Sequence, residues 1–315
     1  MDIRKTPAGT PLAGLFFGIL AVSTASIFIR FAQGEAPSLV IAAGRMLGAT
    51  LLLFPFAIRN LAADLKKITG RTIIFLGLAG IFLGMHFATW ITSLEFTSVA
   101  SSVVLVTTAP LWVALLSPVL LKEKVKTAVF LGLAISMVGS ILVGLNSLCN
   151  VNLAGISCMS LSTLFAGRAV WGNLLALVGA FLSAGYLMIG RHVRHEVSLL
   201  SYTFVVYGVA AVSLLLLLVL GGVVLRPYPA ETWLWIFLLA LIPQVLGHST
   251  FNYFLKRLSA AFVSVALLGE PVGTVLLAYI FLRESPTPLE IIGGILILTG
   301  IAAATISNST KTKTA

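Results

Sequence analysis

Thr97–Val125 reads TSVASSVVLVTTAPLWVALLSPVLLKEKV, and Lys256–Pro286 reads KRLSAAFVSVALLGEPVGTVLLAYIFLRESP. Shifted by 161 residues without a gap, the second stretch falls on the first. Ser98 and Ala100 meet Ser259 and Ala261, Pro110 meets Pro271, Leu121 meets Leu282 and Glu123 meets Glu284. The register continues into the following glycines, with Gly132 on Gly293 and Gly139 on Gly300. A repeat of this length in so apolar a chain is the mark of one membrane half that was duplicated. In membrane proteins such halves usually enclose a substrate site at their interface.

Working outward, the chain has 315 residues, of which 59% are hydrophobic and 10% charged. A soluble fold of this size would need far more charge on its surface. Ten apolar stretches are each long enough, at about 20 residues, to cross a hydrocarbon core of about 30 Å. They lie near Leu12–Phe31, Ser38–Ile58, Thr72–Leu94, Ala100–Leu120, Thr127–Leu145, Val170–Gly190, Leu200–Leu220, Thr232–Phe254, Ala260–Phe281 and Leu289–Ile306. Lipid offers no partner to backbone polar groups, so such spans must be helices. The expected fold is an all-α membrane protein of ten transmembrane helices.

Charge sets the expected orientation. The net charge is +10. With the N-terminus inside, Arg59, Lys66, Lys67, Arg71, Lys122, Lys124, Lys126, Arg191, Arg194, Lys256 and Arg257 all fall on inside segments. Outside segments and their edges hold Arg30, Arg168, Arg226 and Arg283. That bias predicts both termini cytoplasmic and an even number of spans. It also accounts for the basic balance without a nucleic-acid partner. The first apolar run continues past Ala25 through Ile27–Ile29, which reads as a retained span rather than a cleaved signal peptide.

Residues 12–145 form the first repeat, 146–169 an external connector and 170–307 the second repeat. Five helices is an odd number, so the two repeats enter the membrane in opposite senses, an inverted repeat. The connector is rich in Ser, Asn and Gly and has room for a short interfacial helix. Its two cysteines, Cys149 and Cys158, are either a disulfide, which an external compartment would preserve, or two small apolar loop residues. Helices five and ten carry almost nothing polar at mid-depth and read as peripheral packing helices.

Glu270 is the most conspicuous polar residue, in GEPVG at the middle of helix nine. A charged carboxylate at the bilayer centre costs about 2.5–3.5 kcal/mol. It must face a cavity, pair with a cation or hold a proton. Two readings stand: coupling of transport to protons, or a structural ion pair with Arg45 of helix two. Arg45 in turn either braces helices or holds a substrate carboxylate in a bidentate grip. Pro271 removes a backbone donor and clashes with the carbonyl of Leu267, and Pro110 implies the same event in the other repeat. Paired helix breaks point to a binding site.

Polar stripes predict the cavity wall. Gln244, His248 and Asn252 recur at four-residue spacing in helix eight, as do His86 and Trp90 in helix three. Thr108 and Trp112 flank Pro110, and Trp90 and Trp112 would give an amphiphilic substrate apolar and stacking contacts. The competing reading makes each histidine a satisfied core residue. Glu123 and Glu284 end their helices beside Lys122 and Arg283 and read as interfacial structure.

These motifs resemble the EamA family of the drug/metabolite transporter superfamily. The resemblance rests on the two stretches quoted above, followed by GLAISMVGSILVG at Gly132–Gly144 and GGILILTGIAAA at Gly293–Ala304. It covers nearly the whole chain as two copies of one unit. It implies a secondary transporter of the cytoplasmic membrane that exports or takes up a small organic metabolite, an amino acid-like compound or a drug by alternating access, and the expectation adopted is an exporter. A monomer or homodimer, membrane lipids and protons as coupling ion complete the expected partners. Neither a cofactor nor a metal is expected. The sequence contains no HExxH, GxSxG or P-loop, and no GxGxxG following a strand. Two alternatives belong to other classes: an intramembrane enzyme acting on lipid through Glu270 and a histidine, and a receptor or scaffold. The duplicated halves weigh against the first. The lack of a soluble signalling domain weighs against the second.

Overall fold

The structure is a computed structural model that describes residues 9–97, 99–145, 149–152, 155–158, 168–223, 226–282 and 285–309. Among these, eight helical segments are long and apolar enough to cross a membrane, and two shorter apolar helices cover Thr127–Val143 and Ile291–Ala304. The first span is α1 (Gly9–Ser23) and α2 (Ala25–Gln33), divided at Thr24. Then come α3 (Ser38–Leu65), α4 (Gly70–Ser93), α5 (Val99–Val106), α6 (Ala109–Leu120) and α7 (Thr127–Leu145). The second half holds α8 (Arg168–Val193), α9 (Leu199–Leu220), α10 (Ala230–Leu239), a π-helical stretch (Ala240–His248) and α11 (Ser249–Leu255). It closes with α12 (Ala260–Leu267), α13 (Glu270–Leu282) and α14 (Pro288–Ser309).

The helix starts follow local chemistry. Thr69, Ser198 and Ser259 sit at the N-caps of α4, α9 and α12, and each side-chain oxygen accepts an N–H from three residues on. Pro37 and Pro229 precede α3 and α10 in extended backbone. Lys122 turns the chain between α6 and α7 with a φ of 56°, the left-handed conformation that commonly ends a helix.

In the connector, β1 (Cys149–Asn152) and β2 (Gly155–Cys158) pair as two antiparallel strands, and residues 159–167, the remaining room for the expected interfacial helix, lie outside the described residues. The strand register sets Cys149 opposite Cys158.

Large apolar side chains cover the outside, among them Phe16, Leu51, Ile74, Leu115, Val219 and Phe281, all exposed. A water-soluble surface does not look like this; a lipid-facing one does. Inside, small residues let backbones close up. A Cβ added at Gly80 would come within 2.8 Å of the Val206 carbonyl of α9.

Helices α7 and α14 pack against each other. A Cβ at Gly132 would strike the carbonyl oxygen of Gly300, and one at Gly139 would lie 2.5 Å from that of Gly293. Between them the Ser136 hydroxyl donates to the Ile297 carbonyl at 3.2 Å. Ser136 and Ser140 are fully buried in this seam, so these helices are not purely apolar packing elements.

Candidate binding cavity

Two helices break at mid-chain. Helix α5 ends at Val106 and α6 starts at Ala109, with Pro110 in its first turn, where a proline needs no donor. Helix α12 ends at Leu267 and α13 starts at Glu270, followed by Pro271. Between the breaks, and between the halves, lies a cavity of about 590 Å³ with its open mouth included. Val106, Thr107, Ala109 and Pro110 line it from one break, and Leu267, Leu268 and Glu270 from the other. Arg45, His86, Trp90 and His248 complete the polar wall, with Ser183 and Ser264 beside them.

Glu270 is held there through its backbone. Its carbonyl accepts the Ser23 hydroxyl at 3.0 Å, and Thr274 donates to the Ser23 carbonyl at 3.2 Å. Gly273 gives Ser23 its space, since a Cβ there would strike the serine side chain. The break in the first span thereby docks on the break before α13.

Arg45 is fully buried. Its Nε donates to Gln244 Oε1 at 2.9 Å, and its guanidinium lies 4.1 Å from the centre of the Phe87 ring. Among the described residues no hydrogen bond or ion pair joins Arg45 to Glu270. The two charges share the cavity without touching. Arg45 Nη1, Gln244 Nε2 and the Trp90 indole Nε1 are buried donors without a protein acceptor. A polar ligand with acceptor oxygens would satisfy Arg45 and Trp90.

His86 Nδ1 is 2.9 Å from the Gly179 carbonyl. A carbonyl only accepts, so Nδ1 carries the proton and, in the neutral ring, Nε2 is the acceptor. The His86 ring stacks on Trp90 with centroids 5.9 Å apart, and Phe87 meets His248 edge-on at 5.5 Å.

Three of the expected wall residues stand elsewhere. Gln244 is fully buried behind Arg45. Asn252 is also fully buried; it accepts from the Tyr186 hydroxyl at 2.7 Å and donates to Tyr207 at 3.3 Å. Trp112 packs edge-on against Phe181 at 5.5 Å and is not among the residues lining the cavity. The physical reason lies in their partners: Arg45 takes the Gln244 side-chain oxygen, Tyr186 and Tyr207 take the Asn252 amide, and Phe181 packs on Trp112. Thr107, Ser183 and Ser264 line the cavity although the stripes did not single them out. Tyr207 was also missed; it bonds Gln244, Ser249 and Asn252.

At the end of the molecule that carries Arg191, polar bonds join the halves at Arg191–Glu123 and Ser198–Asp64 and brace the second half within itself. Arg191 Nε and Glu123 Oε1 form an ion pair at 2.6 Å, and Arg191 Nη1 donates to the Leu255 carbonyl at 2.8 Å. Glu123 therefore pairs across the halves rather than with its neighbour Lys122. Glu284 and Arg283 lie outside the described residues. Arg194 donates to the Asn252 carbonyl at 3.0 Å. Ser198 N–H donates to Asp64 at 3.0 Å. Burial raises the Asp64 carboxyl, but hydrogen bonds from Ser198 and Ser201 and the charge of Lys67 outweigh it and leave it below its ordinary value. His195 is held below its ordinary value by burial and by Arg191. Among the described residues no group of His, Cys, Asp and Glu is arranged to hold a metal.

A helical membrane protein whose two halves meet at broken helices around a buried polar cavity has the build of a carrier. The chain belongs to the EamA-like transporter family, whose profile matches residues 11–145 and 170–306. It is 25% identical to an uncharacterized transporter of Archaeoglobus fulgidus over 93% of this chain and 95% of that one. It is 28% identical to the uncharacterized transporter YdfC of Bacillus subtilis over 80% and 76% of the two chains. A solved crystal structure has the same fold, with a TM-score of 0.75 at 20% identity over 95% of this chain and 98% of the other.

Proposed function

We propose that this chain is a secondary active transporter of ten spans, built as two inverted five-helix repeats with both termini cytoplasmic. It moves a small organic metabolite or drug out across the cytoplasmic membrane by alternating access, with protons as the coupling ion. The observation that carries this reading is the cavity at the meeting of two proline-marked helix breaks, one from each half. The α7–α14 seam supports the inverted repeat. Gly132 touches Gly300 while Gly139 touches Gly293, so the contacts exchange when each residue is replaced by its counterpart 161 positions away. Mutual exchange of contacts is what a two-fold axis produces.

Glu270 is the coupling group in this reading. It lies on the cavity wall and has no cation fixed to it, so it can take up and release a proton as access changes. Arg45 and Trp90 offer donors to the substrate, and the His86–Trp90 stack offers it an aromatic face. Opening the end that carries Arg191 requires parting Arg191 from Glu123.

The test is a proteoliposome screen of amino acids, nucleosides and organic cations, with and without a pH gradient. Accumulation of one class, driven by the gradient, supports the reading. Exchange that ignores the gradient removes the proton from it. Absence of exchange across a broad screen, with folded protein in the membrane, counts against a transporter of this kind.

A further inference from the structure

A second hollow lies on the lipid-facing flank, between α4, α6 and α8. It encloses about 830 Å³ with its open side included. Phe75, Phe82, Leu116, Leu120, Phe181 and Met188 make its walls. Phe181 is 44% exposed and Leu120 62%, so the hollow opens outward, away from the central cavity. Helix α8 is the partition between the two: Ser183 and Leu187 face the cavity, while Phe181, Gly185 and Met188 face the groove. Gly185 shapes its floor, because a Cβ there would strike the Phe82 ring.

The groove is apolar along its length and basic at one end. Arg71, in the first turn of α4, and His192, in the last turn of α8, stand there with Phe75 between them. The Arg71 guanidinium lies 5.5 Å from the Phe75 ring centre, and His192 meets that ring edge-on at 5.2 Å. Acidic side chains at this end of the molecule are engaged elsewhere. Glu196 accepts from the Thr72 hydroxyl at 2.5 Å, and Glu123 pairs with Arg191. Among the described residues Arg71 has no carboxylate partner. From Arg71 to Phe82 the helix rises about 16 Å, close to half of a hydrocarbon core of about 30 Å. The groove thus runs from the membrane surface to mid-depth, the length of one leaflet.

We infer that this groove binds an anionic phospholipid of the bilayer. One acyl chain lies along Phe75, Phe82 and Phe181, and the phosphate meets Arg71, with His192 as a second donor. A basic pocket between spans, at the membrane surface, is the setting in which acidic headgroups are held. The inference rests on the membrane reading of the chain and not on transport.

Native mass spectrometry of the purified full-length chain, titrated with phosphatidylglycerol or phosphatidylcholine, tests it. The wild type retains phosphatidylglycerol in preference. Arg71→Gln weakens that retention about fivefold, the effect of one basic residue at an anionic surface, and leaves phosphatidylcholine unchanged. Lys66→Gln removes an exposed charge outside the groove and has no such effect. Equal retention of both lipids by the wild type, or an equal loss in Lys66→Gln, overturns the site. Fluorescence gives a second reading, since Trp112 touches the groove wall through Phe181. Phosphatidylglycerol with brominated chains quenches a component that Trp112→Phe removes, and does so at lower concentration than brominated phosphatidylcholine. Quenching that ignores the headgroup overturns the proposal.

Discussion

The Ser136 hydroxyl donates to the carbonyl of Ile297, 161 residues further on. That separation is also the offset that lays Pro110 on Pro271. A residue bonded to its own counterpart sits where a two-fold axis would pass, and the glycines around it close the seam. Gly139→Ala is expected to lower the thermal stability of the detergent-solubilised protein by about 1–3 kcal/mol, because the neighbour it meets is rigid backbone. Gly77→Ala, in α4 with nothing within 4 Å of the new Cβ, is expected to be neutral or to stabilise by up to about 1 kcal/mol. Equal effects at the two sites would deny the seam its role.

Glu270→Gln separates coupling from bracing. The substitution keeps shape and hydrogen bonding but cannot exchange a proton. It is expected to abolish accumulation driven by a pH gradient and to leave downhill exchange measurable. Thermal stability should change little, since no ion pair with Arg45 is lost. A variant that keeps full gradient-driven transport takes Glu270 out of coupling.

Arg45 and Gln244 can be parted by a double substitution. Arg45→Met leaves the buried Gln244 oxygen without its donor, a loss of about 1–3 kcal/mol. Adding Gln244→Leu should recover much of that stability. Substrate exchange should stay low in both variants, because the free Arg45 Nη1 donor is gone. Exchange restored in the double variant would make Arg45 a brace only.

The Arg191–Glu123 pair is tested by access. In a background free of Cys149 and Cys158, Ser183→Cys places a thiol on the cavity wall. Glu123→Gln is expected to raise its labelling, from the side that carries Arg191, by about two- to fivefold, the range for a partly exposed ion pair. The exchanged pair Glu123→Arg with Arg191→Glu should return labelling toward the wild-type rate. Unchanged labelling in Glu123→Gln would mean that this pair does not govern access.

Topology and the hairpin make one experiment. Reporter fusions after Lys66 and Lys126 should read cytoplasmic, and fusions within 146–169 external. Cys149 and Cys158 sit opposite each other in the hairpin register, where paired backbones bring Cα atoms to about 4.5–5.5 Å, within disulfide reach. An external hairpin should therefore resist alkylation until a reductant is added. A cytoplasmic connector would defeat the inverted-repeat reading.

The spans were legible because their apolar runs are long and their ends carry charge, Ser, Thr or Pro. The apolar span from Ser38 ends at Arg59, as its composition implies, while the helix itself runs on to Leu65 through residues too polar to read as membrane. The breaks at Pro110 and Pro271 could be anticipated from proline chemistry. The facing of side chains could not. Gln244 and Asn252 lie behind the wall because Arg45, Tyr186 and Tyr207 take their polar atoms, partners distant in sequence that spacing along one helix does not reveal. Ser23 escaped notice as a partner of Glu270 because that bond joins residues 247 positions apart.

The distance kept between Arg45 and Glu270 has an electrical consequence. Two charges locked together would titrate as a unit and present one fixed sum to the membrane field. Here, with Glu270 ionised, the pair cancels across the cavity; with Glu270 protonated, one positive charge remains at mid-depth. A membrane potential acts on such a centre by about 2.3 kcal/mol per charge per 100 mV. If the chain couples transport to protons through Glu270 as proposed, the voltage biases the protonated form and leaves the deprotonated one nearly indifferent, and the current carried per cycle reports the protonation of a single side chain.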